Sequence, residues 1–425
     1  MKTLAIVLFI GLYAVMILQP RYRVGAAVFT AVLFIVSGIV PLAHVIPAID
    51  WNVLMMMTGT MILVYYFIDS RMPERIADLL LDKAPNVMMV TIYMSLFAGL
   101  ISAFIDNVAT VVMVAPVALA ICKKLKISPV AMVLCIAVSS NLQGAATLVG
   151  DTTSIMLGAY AGMDFISFFW MQGRPGIFFA VELGALMTVP IMMFIFRNDK
   201  QKVTSTQKTK VTNYIPSFGL VGVVVCLIAA SFIKDKPPVT NGLICMTMAA
   251  LMMCLDYFKT RKTVNANKAV RSVDTQTLTL LLSLFLIIQG INEVGVIDDL
   301  SDFIVRTGGD DIFILYTIIV WGSVVVSAFV DNIPYVATML PVLAGVTTRL
   351  GISPYLLYFG LLTGATLGGN LTPIGASANI TAVGLLRKEG YEVSFPDFMK
   401  IGVPFTLTAV MTGYLFIWFF WKGTI

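Results

Sequence analysis

One segment of this chain occurs twice. Residues 102–158 and 327–383 align without a gap at an offset of 225, with 17 identities in 57 positions. In each copy Ser-Ala-Phe and one apolar residue precede Asp-Asn, so Asp106-Asn107 corresponds to Asp331-Asn332. Both copies lie in strongly apolar sequence. A duplicated unit with a carboxylate and Gly/Pro breaks at membrane depth is typical of secondary transporters.

The composition predicts an all-α polytopic membrane protein. Hydrophobic residues make up 59% of the chain and charged residues 12%, against about 25% charged in soluble domains. We expect a cell-membrane location, in the inner or plasma membrane, with the lipid bilayer as partner. The net charge of +5 comes from loop lysines and arginines, so no nucleic-acid partner is expected. Five cysteines without metal-ligand spacing are interpreted as small buried hydrophobes, and the single histidine, His44, lies in a predicted loop, which argues against histidine chemistry. We expect no enzymatic activity and no resident cofactor.

The apolar runs predict about ten transmembrane helices and two re-entrant hairpins. The ten candidate spans are 4–18, 24–42, 52–68, 130–158, 177–196, 216–233, 240–256, 275–291, 354–384 and 401–421. The two predicted hairpins, about 88–122 and 312–346, each carry Asp-Asn at the centre. Each half then has five spans and one hairpin. Because five is odd, the two repeats must be inverted relative to each other.

This organisation gives three regions and an orientation. The first inverted repeat is 1–197, the linker is 198–215, and the second repeat is 216–425. Alternating the spans from a cytoplasmic loop at Arg21 and Arg23 places 21 of the 28 basic residues inside, as the positive-inside rule requires. The linker is then cytoplasmic and both termini are extracytoplasmic. The charged segments 69–86 and 293–311 are predicted interfacial helices that precede the hairpins.

Asp106 and Asp331 are the strongest candidates for ion chemistry. An ionised carboxylate near the bilayer centre costs roughly 2.5–3.5 kcal/mol on insertion scales, and such residues are usually functional. The alternative is that each Asp only caps the following helix. Asn107 and Asn332 offer amide groups at the same tips, and Thr110 and Thr338 are the nearest hydroxyls. Carboxylate and carbonyl oxygens suit Na⁺, so Asp106, Asn107, Asp331 and Asn332 form a candidate sodium site.

The broken helix after each hairpin should complete the site. Gly, Pro and small polar residues interrupt a membrane helix only where the freed backbone meets protein, water or ligand, although close helix packing is an alternative. The candidates in the first copy are Asn141, Gly144, Thr147, Gly150, Asp151, Thr152 and Ser154. Those in the second copy are Gly369, Asn370, Thr372, Gly375, Ser377 and Asn379. Asp151 has no acidic counterpart in the second copy, so the two half-sites should be unequal.

These motifs resemble the ArsB/P-protein branch of the ion transporter superfamily. The resemblance covers nearly the whole chain and is densest from Val330-Asp331-Asn332-Ile333-Pro334 to Gly375-Ala376-Ser377-Ala378-Asn379. It implies a scaffold, a mobile transport domain and elevator-type alternating access. Homodimers are common in the superfamily, so a homodimer is a further expectation. Thr152-Thr153-Ser154 departs from the family pattern in the first copy, where Gly-Asp is commonly followed by Pro-Pro-Asn.

The leading functional hypothesis is a proton-coupled antiporter that exports arsenite, antimonite or Na⁺. Proton and solute would compete for Asp106 and Asp331, so the coupling ion is H⁺ or Na⁺. One alternative is a Na⁺-coupled di- or tricarboxylate transporter, or a carrier of another small anion, although two tip carboxylates would repel a dicarboxylate. An ion channel is a further alternative. An intramembrane aspartyl protease is disfavoured, because the chain has no Gly-x-Gly-Asp and each Asp lies in a separate inverted repeat.

Overall fold

The computed structural model describes residues 1–203, 209–260, 264–309 and 311–423. Residues 204–208 of the predicted linker, Arg261 and Lys262 of a predicted cytoplasmic loop, and Asp310 of the second interfacial segment lie outside the described residues.

Helices dominate the described part of the chain. Those of the first half are α1 (Lys2–Leu18), α2 (Arg23–Val36), α3 (Leu42–Ala48), α4 (Trp51–Asp69), α5 (Met72–Lys83), α6 (Val87–Ser102), α7 (Asn107–Leu125), α8 (Val130–Gly144), α9 (Thr152–Tyr160) and α10 (Ile177–Ile195). Two short strands, β1 (Trp170–Met171) and β2 (Arg174–Pro175), pair antiparallel before α10.

The second half repeats this order. Its helices are α11 (Ile215–Ser231), α12 (Thr240–Thr260), α13 (Val264–Arg271), α14 (Thr275–Glu293), α15 (Val296–Gly308), α16 (Ile312–Ser327), α17 (Asn332–Leu350), α18 (Tyr355–Leu362), α19 (Ser377–Lys388) and α20 (Phe395–Trp421). A π-helical turn (Thr363–Leu367) and a 3₁₀ turn (Gly369–Leu371) follow α18.

The duplication in the sequence is a duplication in the structure. The first arms α6 and α16 both have 16 residues, and the second arms α7 and α17 both have 19. Each second arm ends at an equivalent left-handed residue, Lys126 (φ 55°) or Gly351 (φ 67°), a conformation that commonly ends helices. The predicted hairpins therefore coincide with the helix pairs α6–α7 and α16–α17.

Packing between helices follows the same internal symmetry. Helix α4 packs against α12, and the equivalent α14 packs against α2. Helices α10 and α20, the last of each half, pack against each other. Both hairpins rest on the broken helices, α6 and α7 on α8, and α16 on α18 and the π turn. The broken helices and hairpins thus form one packed group beside the group that contains α2, α4, α12 and α14.

The chain is a helical multi-pass membrane protein. Among the described residues, seven helices are long and apolar enough to cross a membrane, or eight if the bent pair α15–α16 is one span. Helices α7 and α17, the second hairpin arms, are two of the seven. Apolar helices of 10–17 residues, α1 among them, add shorter elements. Each of the ten predicted spans contains at least one helix, and 130–158 and 354–384 are interrupted as predicted. The run 24–42 ends as a helix at Val36, because Gly38 adopts φ 72° and turns the chain toward α3.

Close backbone contact between α4 and α12 gives a test of this packing. A Cβ added at Gly59 would lie 2.6 Å from the Cys245 carbonyl oxygen and 2.8 Å from its Cβ. Gly59→Ala should therefore lower the thermal stability of the purified protein by about 1–3 kcal/mol, the usual cost of overpacking. Gly11→Ala in α1 is the matched control, since a Cβ there meets no atom within 4 Å. Equal melting temperatures for the two variants would contradict the close contact between α4 and α12.

Candidate substrate and ion site

Each hairpin tip is a helix start capped by its aspartate. The Asp106 carboxylate accepts hydrogen bonds from the backbone N–H groups of Val108 (3.0 Å) and Ala109 (3.1 Å). Asp331 accepts from Ile333 N–H at 3.1 Å. The capping role considered from the sequence is therefore present at both tips. It uses one carboxylate oxygen in each case, so capping leaves the second oxygen available for other partners.

Each tip is fastened to the broken helix of its own repeat by equivalent contacts. The Thr147 hydroxyl donates to the Ala103 carbonyl, and the Thr372 hydroxyl donates to the Ala328 carbonyl. Gly150 lies against the same turn of the first hairpin, where an added Cβ would be 2.6 Å from the Ser102 carbonyl oxygen.

Gly375 has the equivalent contact in the second repeat. An added Cβ there would be 2.6 Å from the Ser327 carbonyl oxygen and 2.8 Å from that of Ala328. The two glycines thus allow hairpin and broken helix to meet backbone to backbone in both repeats. Carbonyl oxygens gathered in this way suit a small cation.

Asp151 lies between the two hairpin tips. Its side chain is only 3% exposed, and its carboxylate accepts from the Asn107 amide (3.4 Å) and from the Asn332 amide (3.4 Å). The Thr152 N–H and the Thr153 hydroxyl each donate to it at 2.8 Å. All of these donors are neutral, and no ion pair involves Asp151 within the described ranges. One carboxylate therefore joins both repeats without a counter-ion.

A set of buried amides connects the two broken helices. Asn141 accepts from the Asn107 amide at 2.9 Å and donates to the Thr366 carbonyl at 2.7 Å. It also donates to Asn370 Oδ1 at 3.1 Å, and Asn370 donates to the Val138 carbonyl at 2.9 Å. All of these bonds except Asn107 to Asn141 cross from one repeat to the other. The two half-sites therefore form a single polar centre.

Asn379 shows how the second broken helix ends. Its amide nitrogen donates to the carbonyls of Gly369 (3.1 Å) and Thr372 (3.2 Å). Its Oδ1 is buried without a hydrogen-bond partner in the described part of the chain. The equivalent Ser154 makes a longer bond of 3.5 Å to the Gly144 carbonyl. At this pair of equivalent positions the second repeat presents an unpaired amide oxygen, whereas the first has a serine hydroxyl bonded to a carbonyl.

Asp331 has a cationic partner that the sequence analysis missed. Arg23 Nη1 lies 2.6 Å from Asp331 Oδ2, and the Ser377 hydroxyl donates to the same oxygen at 2.9 Å. Arg23 is the first residue of α2, whereas it was expected to be an ordinary cytoplasmic loop residue. A separation of 308 residues leaves no local signal for this pair.

A cavity of about 920 Å³ gives access to this centre. Its charged lining residues are Arg21, Arg23, Asp69, Asp106, Asp151 and Asp274. Neutral lining residues include Asn107, Thr152, Asn332 and Ser377. Carboxylates outnumber arginines in this lining, and one of the arginines is already paired with Asp331.

The predicted residues Thr110 and Thr338 are not among those that line this cavity. Thr110 is fully buried, and its hydroxyl has no partner in the described ranges. The Thr338 hydroxyl lies 2.9 Å from the Tyr13 hydroxyl on α1 and 3.0 Å from the Pro334 carbonyl of its own helix. Thr153 and Thr366, whose hydroxyls are 3.0 Å apart, were not selected from the sequence. For Thr153 the available signal was its position two residues after Asp151.

The glycine contacts at the tips allow a direct test. Gly150→Ala or Gly375→Ala should reduce transport by about tenfold or more, because the added Cβ must push the hairpin turn from the broken helix and a small misplacement at a site can cost this much. Gly384→Ala in α19 is the control, since a Cβ there meets nothing within 4 Å. Solute flux is measured in liposomes at matched protein content, with melting temperature recorded. Normal flux in both tip variants would refute the close contact.

Comparison with known proteins finds one matching family model and several similar chains. A family model described as a citrate transporter, CitMHS, matches residues 13–359 and 239–424. An uncharacterised transporter of Mycobacterium tuberculosis is 28% identical over 430 residues, covering 98% of both chains. The human P protein is 23% identical over 504 residues, which cover 98% of this chain and 59% of the P protein.

Two solved structures are similar in fold. The YdaH transporter of Alcanivorax borkumensis superposes with a TM-score of 0.63 at 13% identity, covering 92% of this chain and 91% of that one. MtrF of Neisseria gonorrhoeae, whose structure is described as illuminating a class of antimetabolite efflux pumps, gives a TM-score of 0.57 at 15% identity, covering 92% and 84%. At these identities the likeness concerns the fold alone.

Proposed function

Because the chain belongs to the citrate transporter family of the ion transporter superfamily, and is therefore a membrane transporter, we propose that it is a proton-coupled antiporter. The matches to the human and mouse P proteins confirm the superfamily resemblance seen in the tip motifs. The proposed cargo is Na⁺ or a neutral hydroxylated solute such as arsenite or antimonite.

The buried carboxylate of Asp151 carries this proposal. A charge held away from water without a counter-ion costs several kcal/mol. Asp151 accepts hydrogen bonds from neutral groups only, which offset part of that cost. The remainder favours uptake of a proton or a small cation. Because Asn107 and Asn332 donate hydrogen bonds to Asp151, binding of either at Asp151 would change the contacts of both hairpin tips.

The charge of the cavity supports a cationic or neutral cargo. Four carboxylates, those of Asp69, Asp106, Asp151 and Asp274, line the cavity together with two arginines, Arg21 and Arg23. Asp106 makes no ion pair in the described part of the chain. It lines the same cavity as Asp151. A proton and a cation would compete for this pair of carboxylates, and that competition is the basis of antiport.

The walls of the cavity suggest how access would alternate. One wall consists of the hairpin tips and broken helices, and the other of α2, α4 and α14. We propose that the first group moves past the second in an elevator-type motion. The cavity lining also includes Pro20, Arg21, Asp69 and Ser272, which lie in or beside segments that the positive-inside count assigns to the cytoplasm. This state would then be open inward.

A carboxylate transporter is the second candidate, favoured by the family description as a citrate transporter. Arg21 lines the cavity and would attract an anion. A tricarboxylate would nevertheless enter beside Asp106 and Asp151. It would therefore need protons or metal cations to neutralise those groups.

The test is internal pH in liposomes that contain the purified protein and a pH dye. Na⁺, arsenite, antimonite and citrate are added outside in turn. We expect a proton flux with Na⁺ or arsenite, and we expect Asp151→Asn or Asp106→Asn to reduce it at least about tenfold, because each removes a competing carboxylate. Asp397→Asn is the control, since Asp397 is exposed at the start of α20 and pairs with Lys400.

Each outcome of this assay has a distinct meaning. A flux evoked by citrate alone would favour the carboxylate transporter. Solute movement without any proton flux, with folded protein, would refute proton coupling. Normal proton flux in Asp151→Asn would remove the observation on which the proposal rests.

A further inference from the structure

The ion pair between Arg23 and Asp331 joins two parts of the molecule. Arg23 begins α2, which packs against α1 and α14. Asp331 caps α17, the second arm of the second hairpin, which packs against α9, α15 and α18 as well as α14. Both side chains are largely buried, with Arg23 26% and Asp331 13% exposed. We infer that Arg23 is a tethered counter-ion, a positioning residue that holds the second hairpin in this state until a soluble cation or proton replaces it on Asp331.

The two tips differ in this respect although their backbones are equivalent. Asp331 has Arg23 at 2.6 Å, whereas Asp106 makes no ion pair in the described ranges. Ser377 Oγ also receives a long 3.4 Å contact from Arg23, so the arginine reaches hairpin and broken helix together. The second tip therefore already carries a cation, supplied by the protein.

A second contact lies beside the ion pair. The Tyr13 hydroxyl on α1 donates to the Pro334 carbonyl at 2.8 Å and lies 2.9 Å from Thr338 Oγ1. These are neutral bonds of ordinary strength. They position the same hairpin arm but require no replacement ion when they break. Of these two contacts, the Arg23–Asp331 ion pair is the one that would need a replacement cation when it breaks.

The energetic consequence follows from burial. If the second hairpin leaves α2, Asp331 loses its only counter-ion among the described residues. An unpaired buried charge is strongly unfavourable, so separation needs another positive charge on Asp331. The inference rests on the proposed cation coupling, and it predicts that the carrier does not move while Asp331 lacks a replacement cation. It makes the exchange of Arg23 for a soluble cation an obligatory step.

The other charged groups facing the cavity do not make this contact. They are Arg21, Asp69, Asp106, Asp151 and Asp274. Arg21 lies two residues from Arg23, lines the same cavity and has no ion-pair partner in the part of the chain described. Arg21→Gln removes the same charge from the cavity and leaves the Arg23–Asp331 pair intact. It is the matched control.

The test measures the position of the second hairpin directly. Spin labels are placed at Phe29→Cys on α2 and Val325→Cys on α16, which are exposed by 63% and 62%, after the five native cysteines are replaced by serine. Distances are recorded by electron–electron double resonance in liposomes without Na⁺ at neutral pH. The chain with Arg23 and Asp331 should show one main distance. Arg23→Gln and Asp331→Asn should each shift the ratio of two distances by about tenfold or more, because breaking a buried pair has a large effect.

Three results decide the inference. Arg23→Lys keeps the charge, so it should show mainly the single distance of the chain with Arg23 rather than the mixture expected for Arg23→Gln. Arg21→Gln should show the same single distance. The same distribution in Arg23→Gln and Arg21→Gln would overturn the tethered counter-ion. Asp331→Asn should also allow solute exchange without the coupling-ion gradient, and continued dependence on that gradient would overturn it too. A liposome assay without proton flux, combined with the expected distance changes, would refute the proposed function while leaving the role of Arg23 intact.

Discussion

Helices that stop inside a membrane leave backbone groups that the protein itself must satisfy. Here the two hairpins and the two broken helices all have such ends, and they satisfy one another. Asp106 and Asp331 cap the second arms, while Thr147 and Thr372 bind the carbonyls at the end of the first arms. Gly150 allows the backbones to meet. The position of every candidate ligand depends on this mutual satisfaction.

The duplication produced two repeats with equivalent helix arrangements, and substitutions made the site residues of the two repeats different. In the alignment of the two repeats Asp151 corresponds to Ala376, and Asn141 corresponds to Thr366. One carboxylate therefore serves both tips, and one asparagine reaches across to the opposite broken helix. A strictly symmetric site would hold two acidic groups in close proximity, which would repel each other. A single central carboxylate bound by neutral groups can instead respond to one proton or cation.

The local frame of the site could be predicted from the sequence, but its long-range partners could not. Repeat spacing located Asp106 and Asp331, and the Gly-rich break after the first hairpin located Asp151, because Gly, Pro and acidic residues in apolar runs have few structural explanations. Arg23 was counted as one more basic residue at a membrane edge, and Tyr13 was ordinary in an apolar helix. Their partners lie 308 and more than 320 residues away, where neither spacing nor periodicity carries information.

The sequence by itself determined the membrane class, the inverted repeats, the hairpins and the capped tips, because each depends on hydropathy or on residues within a few positions. Only the tertiary structure decided how charge is distributed over the two tips. It placed Asp151 between Asn107 and Asn332 and gave Asp331, but not Asp106, an arginine. Electrostatic pairing depends on distance in space, and folding brings together groups whose separation along the chain says nothing about that distance.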